Sequence, residues 1–106
     1  MTGIKYSKAC KQEISERISS GVVPGKALYD IFLQSHFSSM SVMARRLDVS
    51  VAAISRMISG RNNISALMAL KISKETGFPA EDIMELQNQH DLKIARASQA
   101  EAIKKA

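Results

Sequence analysis

Arg56 is the side chain best placed by its neighbours to do chemistry on a partner. It lies in Val51-Ala52-Ala53-Ile54-Ser55-Arg56-Met57-Ile58, where two isoleucines stand four positions apart among small, polar and cationic residues. On a helix this spacing turns Ile54 and Ile58 inward and Val51, Ala52, Ala53, Ser55 and Arg56 outward. An outward arginine can donate two hydrogen bonds to O6 and N7 of one guanine, and small apolar groups fit a thymine methyl. The alternative readings are a solvated arginine and small residues that only let the backbone approach a duplex. A helix over 51–58, at about 1.5 Å per residue, is about 12 Å long, comparable with a major groove about 12 Å wide.

A second set of groups suits phosphate. Ser39, Ser41 and Ser50 stand at the starts of expected helices, where unpaired backbone N–H groups attract anions. Arg61, Asn62 and Asn63 follow Gly60 in a loop able to donate several hydrogen bonds to a phosphate, which positions a protein without reading sequence. Arg45 and Arg46 point outward and are read as solvated or phosphate-facing. Catalytic chemistry has no comparable set: Cys10, His36 and His90 are the only thiol and imidazoles, and no spacing joins them. One Cys and two distant His make no zinc site, and no glycine-rich loop cradles a phosphate. The expectation is a protein that is not an enzyme and has no cofactor and no metal.

The elements that must carry these groups are short helices. Breaks fall at Ser19-Ser20-Gly21, Val23-Pro24-Gly25, Ser38-Ser39, Asp48-Val49-Ser50, Ser59-Gly60 and Gly77-Phe78-Pro79, with almost no period-two alternation between them. Helices are predicted over about 6–19, 25–34, 40–47, 51–58 and 66–76, and from Pro79 onward. Leu28, Ile31, Phe32 and Ser35 form the stripe of the second; Val42, Met43 and Leu47 form the inner face of the third. Leu67, Met68, Ala69, Leu70 and Ile72 give the helix over 66–76 apolar groups on more than one stripe, which predicts packing on two sides. Asp48 tolerates the left-handed backbone of a tight turn, and Ser50 can cap the next helix at once. Two short helices joined by a turn of about three residues fit a helix-turn-helix. The fold class predicted is all-α: a five-helix helix-turn-helix domain with an extra N-terminal helix. An appendage over 1–22, a DNA-binding domain with a C-terminal dimerisation helix over 23–95 and a helix-prone tail over 96–106 complete it.

Charge agrees with that placement. The 106 residues carry a net charge of +5. Residues 1–77 hold 11 basic and 5 acidic side chains, whereas 78–106 hold 4 basic and 5 acidic. The basic part suits a polyanion and the acid-leaning part suits dimerisation. No run approaches the roughly 18 apolar residues a membrane span needs, so a cytoplasmic protein with no membrane association is expected.

From Pro24 to about Ala95 the sequence resembles the HigA-type antitoxins of the Xre and lambda-repressor-like group. The matching elements are Pro24-Gly25, Met43-Ala44-Arg45-Arg46-Leu47-Asp48-Val49, Ile54-Ser55-Arg56-Met57-Ile58-Ser59-Gly60-Arg61, Ile64-Ser65, Ala69-Leu70-Lys71-Ile72 and Gly77. Leu86-Gln87 with Asp91-Leu92 and Ala95 points to the antitoxin branch. Asp82-Ile83 stands where the family often has Phe-Trp, His90 where a Tyr is common, and Asp48 where the turn often has Gly. The resemblance implies a homodimer that binds a palindromic, double-stranded operator in its own promoter and neutralises a RelE/HigB-like mRNA-cleaving toxin. A stand-alone or phage-type Xre repressor without a toxin is the alternative.

Two surfaces stay open at this level. Tyr6, Cys10, Ile14 and Ile18 form a narrow stripe at successive i+4 positions, on a helix too short to be stable alone. That stripe is read as a toxin-binding element, a docked helix completing the core, or a DNA-contacting arm. Met84, Leu86, Gln87 and His90 are the candidate dimer contacts.

Overall fold

A computed structural model of the chain describes residues 5–105, with side chains through residue 103. Residues 1–4 of the expected appendage and residue 106 of the expected tail lie outside the described residues. Six helices and no strand occur among the described residues. They are α1 (Lys8–Ser19), α2, α3 (Met40–Leu47), α4 (Val51–Ser59), α5 (Ala66–Thr76) and α6 (Ala80–Lys105). The composite α2 begins as Pro24–Leu28, passes through a π-helical turn at Tyr29–Leu33 and ends as Gln34–Phe37. No helix among the described residues is long and apolar enough to cross a membrane.

Local chemistry sets most boundaries. Ser7, Ser39, Ser50 and Ser65 each accept a hydrogen bond from the backbone N–H three residues on, satisfying one of the otherwise unpaired donors at a helix start. Asp48 (φ 56°), Gly60 (φ 83°) and Gly77 (φ 80°) end α3, α4 and α5 in the left-handed conformation. The π turn explains why α2 outruns its expected stripe. Gln34 N donates to Tyr29 O, five residues back, and the added residue rotates the following turn so that Leu28, Phe32, Leu33 and Phe37 face the core while Ser35 is exposed.

The core is a single apolar cluster drawn from all six helices. From α1 it takes Cys10, Ile14 and Ile18, the last two with no exposed surface. The stripe, for which a toxin-binding element was one of three readings, is thus covered by the chain's own body. A lone helix of this length needs such cover to be stable, so the docked-helix reading is the one the structure supports. Tyr6 extends the stripe, its ring centroid 4.5 Å from that of Phe78 and its hydroxyl donating to the Asp82 carboxylate. A polar row on α6 then fastens α1 along its length. Lys11 pairs with Asp82 at 3.3 Å and with Glu85. Ser15 Oγ donates to Gln89 Oε1 at 2.8 Å, and Lys93 Nζ donates to the Ser19 carbonyl at 2.8 Å. The Tyr6 hydroxyl holds the Asp82 carboxyl below the usual carboxylate range, and Glu85 raises the Lys11 ammonium.

The expected dimer contacts also need correction. Ile83, Leu86 and Gln87 share one face of α6 and turn into the core, with Leu86 and Gln87 only 2% and 3% exposed. Gln87 Oε1 accepts from Ile64 N at 2.9 Å and its Nε2 donates to Asp91 at 3.0 Å, so this side chain pins the loop after α4 to α6. Leu86 and Gln87 are therefore interior residues, whereas Met84 and His90 are half-buried at the margin. Gln87→Leu keeps the volume and orphans the Ile64 N–H; the expected loss is about 1–3 kcal/mol, read from thermal or denaturant unfolding. On α5 only Ala69 and Ile72 are buried, so the expected second packing side, Leu67 and Leu70, is bare. Residues 91–103 of α6 are all exposed, Leu92, Ile94 and Ile103 among them.

Candidate nucleic-acid interface

The interface is built from α3, the turn after it, α4 and the loop that follows. In the turn, Asp48 N donates to Arg45 O at 3.2 Å and Val49 N to Ala44 O at 2.9 Å, which closes the end of α3 while half-buried Val49 sits beneath the corner. Ser50 Oγ then accepts from Ala53 N at 3.0 Å and starts α4 without a spacer. From outside, α5 braces the turn: Lys71 Nζ donates to the Asp48 carbonyl at 3.3 Å, and Arg46 Nε pairs with Glu75 at 2.9 Å. Arg46 is therefore tied to a carboxylate, and Arg45 is the exposed cation of the pair without a salt bridge among the described residues.

The back of α4 is fixed by burial. Ile54 has no exposed surface and Met57 has 2%, while Ile58 is half-buried, so the inward pair is Ile54 and Met57 rather than Ile54 and Ile58. Against that back lies the N-terminus of α2. A Cβ on Gly25 would fall 2.1 Å from the Met57 carbonyl oxygen and 2.8 Å from its carbon, so only glycine lets these two helices meet at this distance. Sequence reading placed Gly25 at the opening of α2 and missed this role, because nothing local marks which backbone it faces. A glycine immediately after a helix-opening proline was the available signal.

The front of α4 is open. Val51, Ala52, Ser55 and Arg56 are exposed and Ala53 is half-buried, so all five expected base-reading residues lie together on one face or its edge. Ser39, Ser41, Ser50, Arg61, Asn62 and Asn63 are exposed. The hydroxyls of Ser39 and Ser50 accept capping hydrogen bonds and keep their own protons for another acceptor, a chemistry compatible with a phosphate oxygen. Asn62 has a further partner. With its amide turned so that donors meet acceptors, Nδ2 donates to Arg61 O at 3.1 Å and Oδ1 accepts from Arg56 Nε at 3.3 Å.

Two short helices at a tight corner, the second buried behind and bare in front, define a helix-turn-helix DNA-binding protein. The comparisons agree and narrow the class. Residues 39–83 match the helix-turn-helix family model. The antitoxin HigA of Pseudomonas aeruginosa, solved with the higBA promoter, is 30% identical with a TM-score of 0.70, over 77% of this chain and 89% of that one. A second Pseudomonas aeruginosa protein, solved with its 28-bp operator DNA, is 31% identical with a TM-score of 0.69, over 78% and 91%. An addiction module antidote protein of the HigA family from Coxiella burnetii is 27% identical with a TM-score of 0.66, over 77% and 89%. No curated protein matches by sequence. The chain belongs to the HigA family of Xre-type helix-turn-helix proteins.

Proposed function

We propose that the protein represses its own promoter as a homodimer and neutralises a RelE-like mRNA-cleaving toxin. The observation that carries the DNA part is the exposed face Val51, Ala52, Ser55 and Arg56 on a helix whose back is locked by Ile54 and Met57. In this reading α4 enters the major groove, Arg56 reads a guanine, and Ser39, Ser41, Ser50, Arg61 and Asn63 meet the backbone. A dimer would read half-sites about 34 Å apart, one helical turn. Leu67 and Leu70 on α5 and Leu92 and Ile94 on α6 are exposed apolar side chains available to a second copy. The antitoxin part is supported by the solved HigA relatives.

Replacing Arg56 with Ala tests the base contact. The expected loss is about 1–3 kcal/mol in operator binding, with sequence preference relaxed at one base pair of each half-site. An equal loss on every duplex would make Arg56 a phosphate contact instead. For the toxin, removing residues 1–22 cannot separate the two activities, because it strips Ile14 and Ile18 from the shared core. Co-expression with the product of the adjacent reading frame, followed by size-exclusion chromatography, is the direct test. Co-elution and restored growth are expected; a neighbouring product that neither binds nor arrests growth favours a stand-alone repressor.

A further inference from the structure

Arg56 is an exposed arginine on a long, freely rotating stem, and an exposed arginine ordinarily samples many rotamers. Reading one guanine requires a single one of them. The loop after α4 supplies the restraint. Gly60 turns the chain back in the left-handed conformation, and Asn62 N returns to donate to the Arg56 carbonyl at 3.2 Å. This brings the Asn62 carboxamide alongside the Arg56 side chain; with the amide turned so that donors meet acceptors, Oδ1 accepts from Nε at 3.3 Å and Nδ2 donates to the Arg61 carbonyl at 3.1 Å. The opposite amide orientation would set donor against donor and acceptor against acceptor, so the neighbours fix it.

We infer that Asn62 is a positioning residue for Arg56: its amide oxygen fixes the guanidinium through Nε and leaves Nη1 and Nη2 as the parallel pair that faces a base. The inference rests on the reading of Arg56 as a base contact, and it moves Asn62 from the phosphate-binding group to the specificity machinery. Nε is the one guanidinium nitrogen that a parallel Nη1/Nη2 contact does not use, so the restraint leaves the recognition edge free. Holding the side chain in its bound rotamer before contact removes part of the ordering cost from binding.

The test uses the full chain and duplexes selected by the unaltered protein from a randomised pool. Arg56→Ala first identifies the base pair whose preference depends on that side chain. Asn62→Ala is then expected to lower the preference at that same pair by roughly 3–10-fold, with other positions unchanged. Asn62→Asp, which keeps an acceptor oxygen, is expected to retain the preference while weakening binding to all duplexes through its added negative charge. In the combined Arg56→Ala, Asn62→Ala variant, removal of Asn62 should have no further effect at that pair. If Asn62→Ala instead weakens all duplexes equally while Arg56→Ala remains selective for one pair, Asn62 is a phosphate contact and the inference fails with the reading of Arg56 intact. A uniform loss for Arg56→Ala overturns both.

Discussion

Gly25→Ala is expected to destabilise the protein and to abolish high-affinity DNA binding, although alanine is the better helix former. The two effects oppose each other and their sizes decide the outcome. Ala is favoured over Gly by about 1 kcal/mol in a helix interior, which is an upper bound for Gly25 in the first turn of α2. Against this, the new methyl would lie 2.1 Å from the Met57 carbonyl oxygen and 2.8 Å from its carbon, and both atoms are backbone, so no rotamer change relieves the overlap. Overpacking of this kind costs about 1–3 kcal/mol, and a backbone clash belongs at the upper end. The net loss expected is about 2 kcal/mol, or a fall of roughly 10 °C in the midpoint of thermal unfolding. The position of the clash matters more than its size. Met57 is on α4, so relief comes by moving α4 away from α2, and binding should fall further than stability alone explains. Lys26→Ala, next in sequence and exposed, is the control and should stay within about 0.5 kcal/mol of the unaltered protein.

The second large effect concerns salt. If each subunit of a dimer neutralises about three phosphates, log affinity should fall against log salt with a slope of about −5. Between 50 and 200 mM salt that slope means roughly a thousandfold weaker binding. Arg61 and Arg45 are the cations suited to this work, since both are exposed and neither has a carboxylate partner among the described residues, whereas Arg46 is held by Glu75. Arg61→Ala should therefore reduce the slope by about 2 per dimer, and Arg46→Ala should change it little. A titration by fluorescence anisotropy on one duplex measures both. A slope near zero would remove phosphate contact from the account.

The local parts of this fold were legible because they are satisfied locally. Ser39, Ser50 and Ser65 mark helix starts by capping the next turn, and Asp48, Gly60 and Gly77 mark stops by taking positive φ, so α3 and α5 agree with the sequence reading residue for residue. What depends on a distant partner was not legible. Periodicity showed that Cys10, Ile14 and Ile18 form a stripe, but which surface covers a stripe is decided by tertiary packing. The same limit put Ile58 inward in place of Met57, since spacings of three and four residues both return to one face of a 3.6-residue helix. The π turn in α2, the approach of Gly25 to Met57 and the Asn62–Arg56 bond leave no periodic trace. Leu86 and Gln87 were placed at a dimer surface for a related reason: spacing does not show which face of α6 is covered, and the buried amide of Gln87 joins Ile64 to Asp91 within one chain.

The central claim is that α4 lies in the major groove with Arg56 at a guanine. Methylation protection reports this directly, because dimethyl sulfate attacks guanine N7 on the major-groove edge. With the unaltered protein bound, protected guanines are expected in two half-sites about one helical turn apart. Arg56→Ala, at a concentration that restores occupancy, should re-expose one guanine per half-site and leave the others protected. Full occupancy of the duplex with every guanine N7 still reactive would contradict the account.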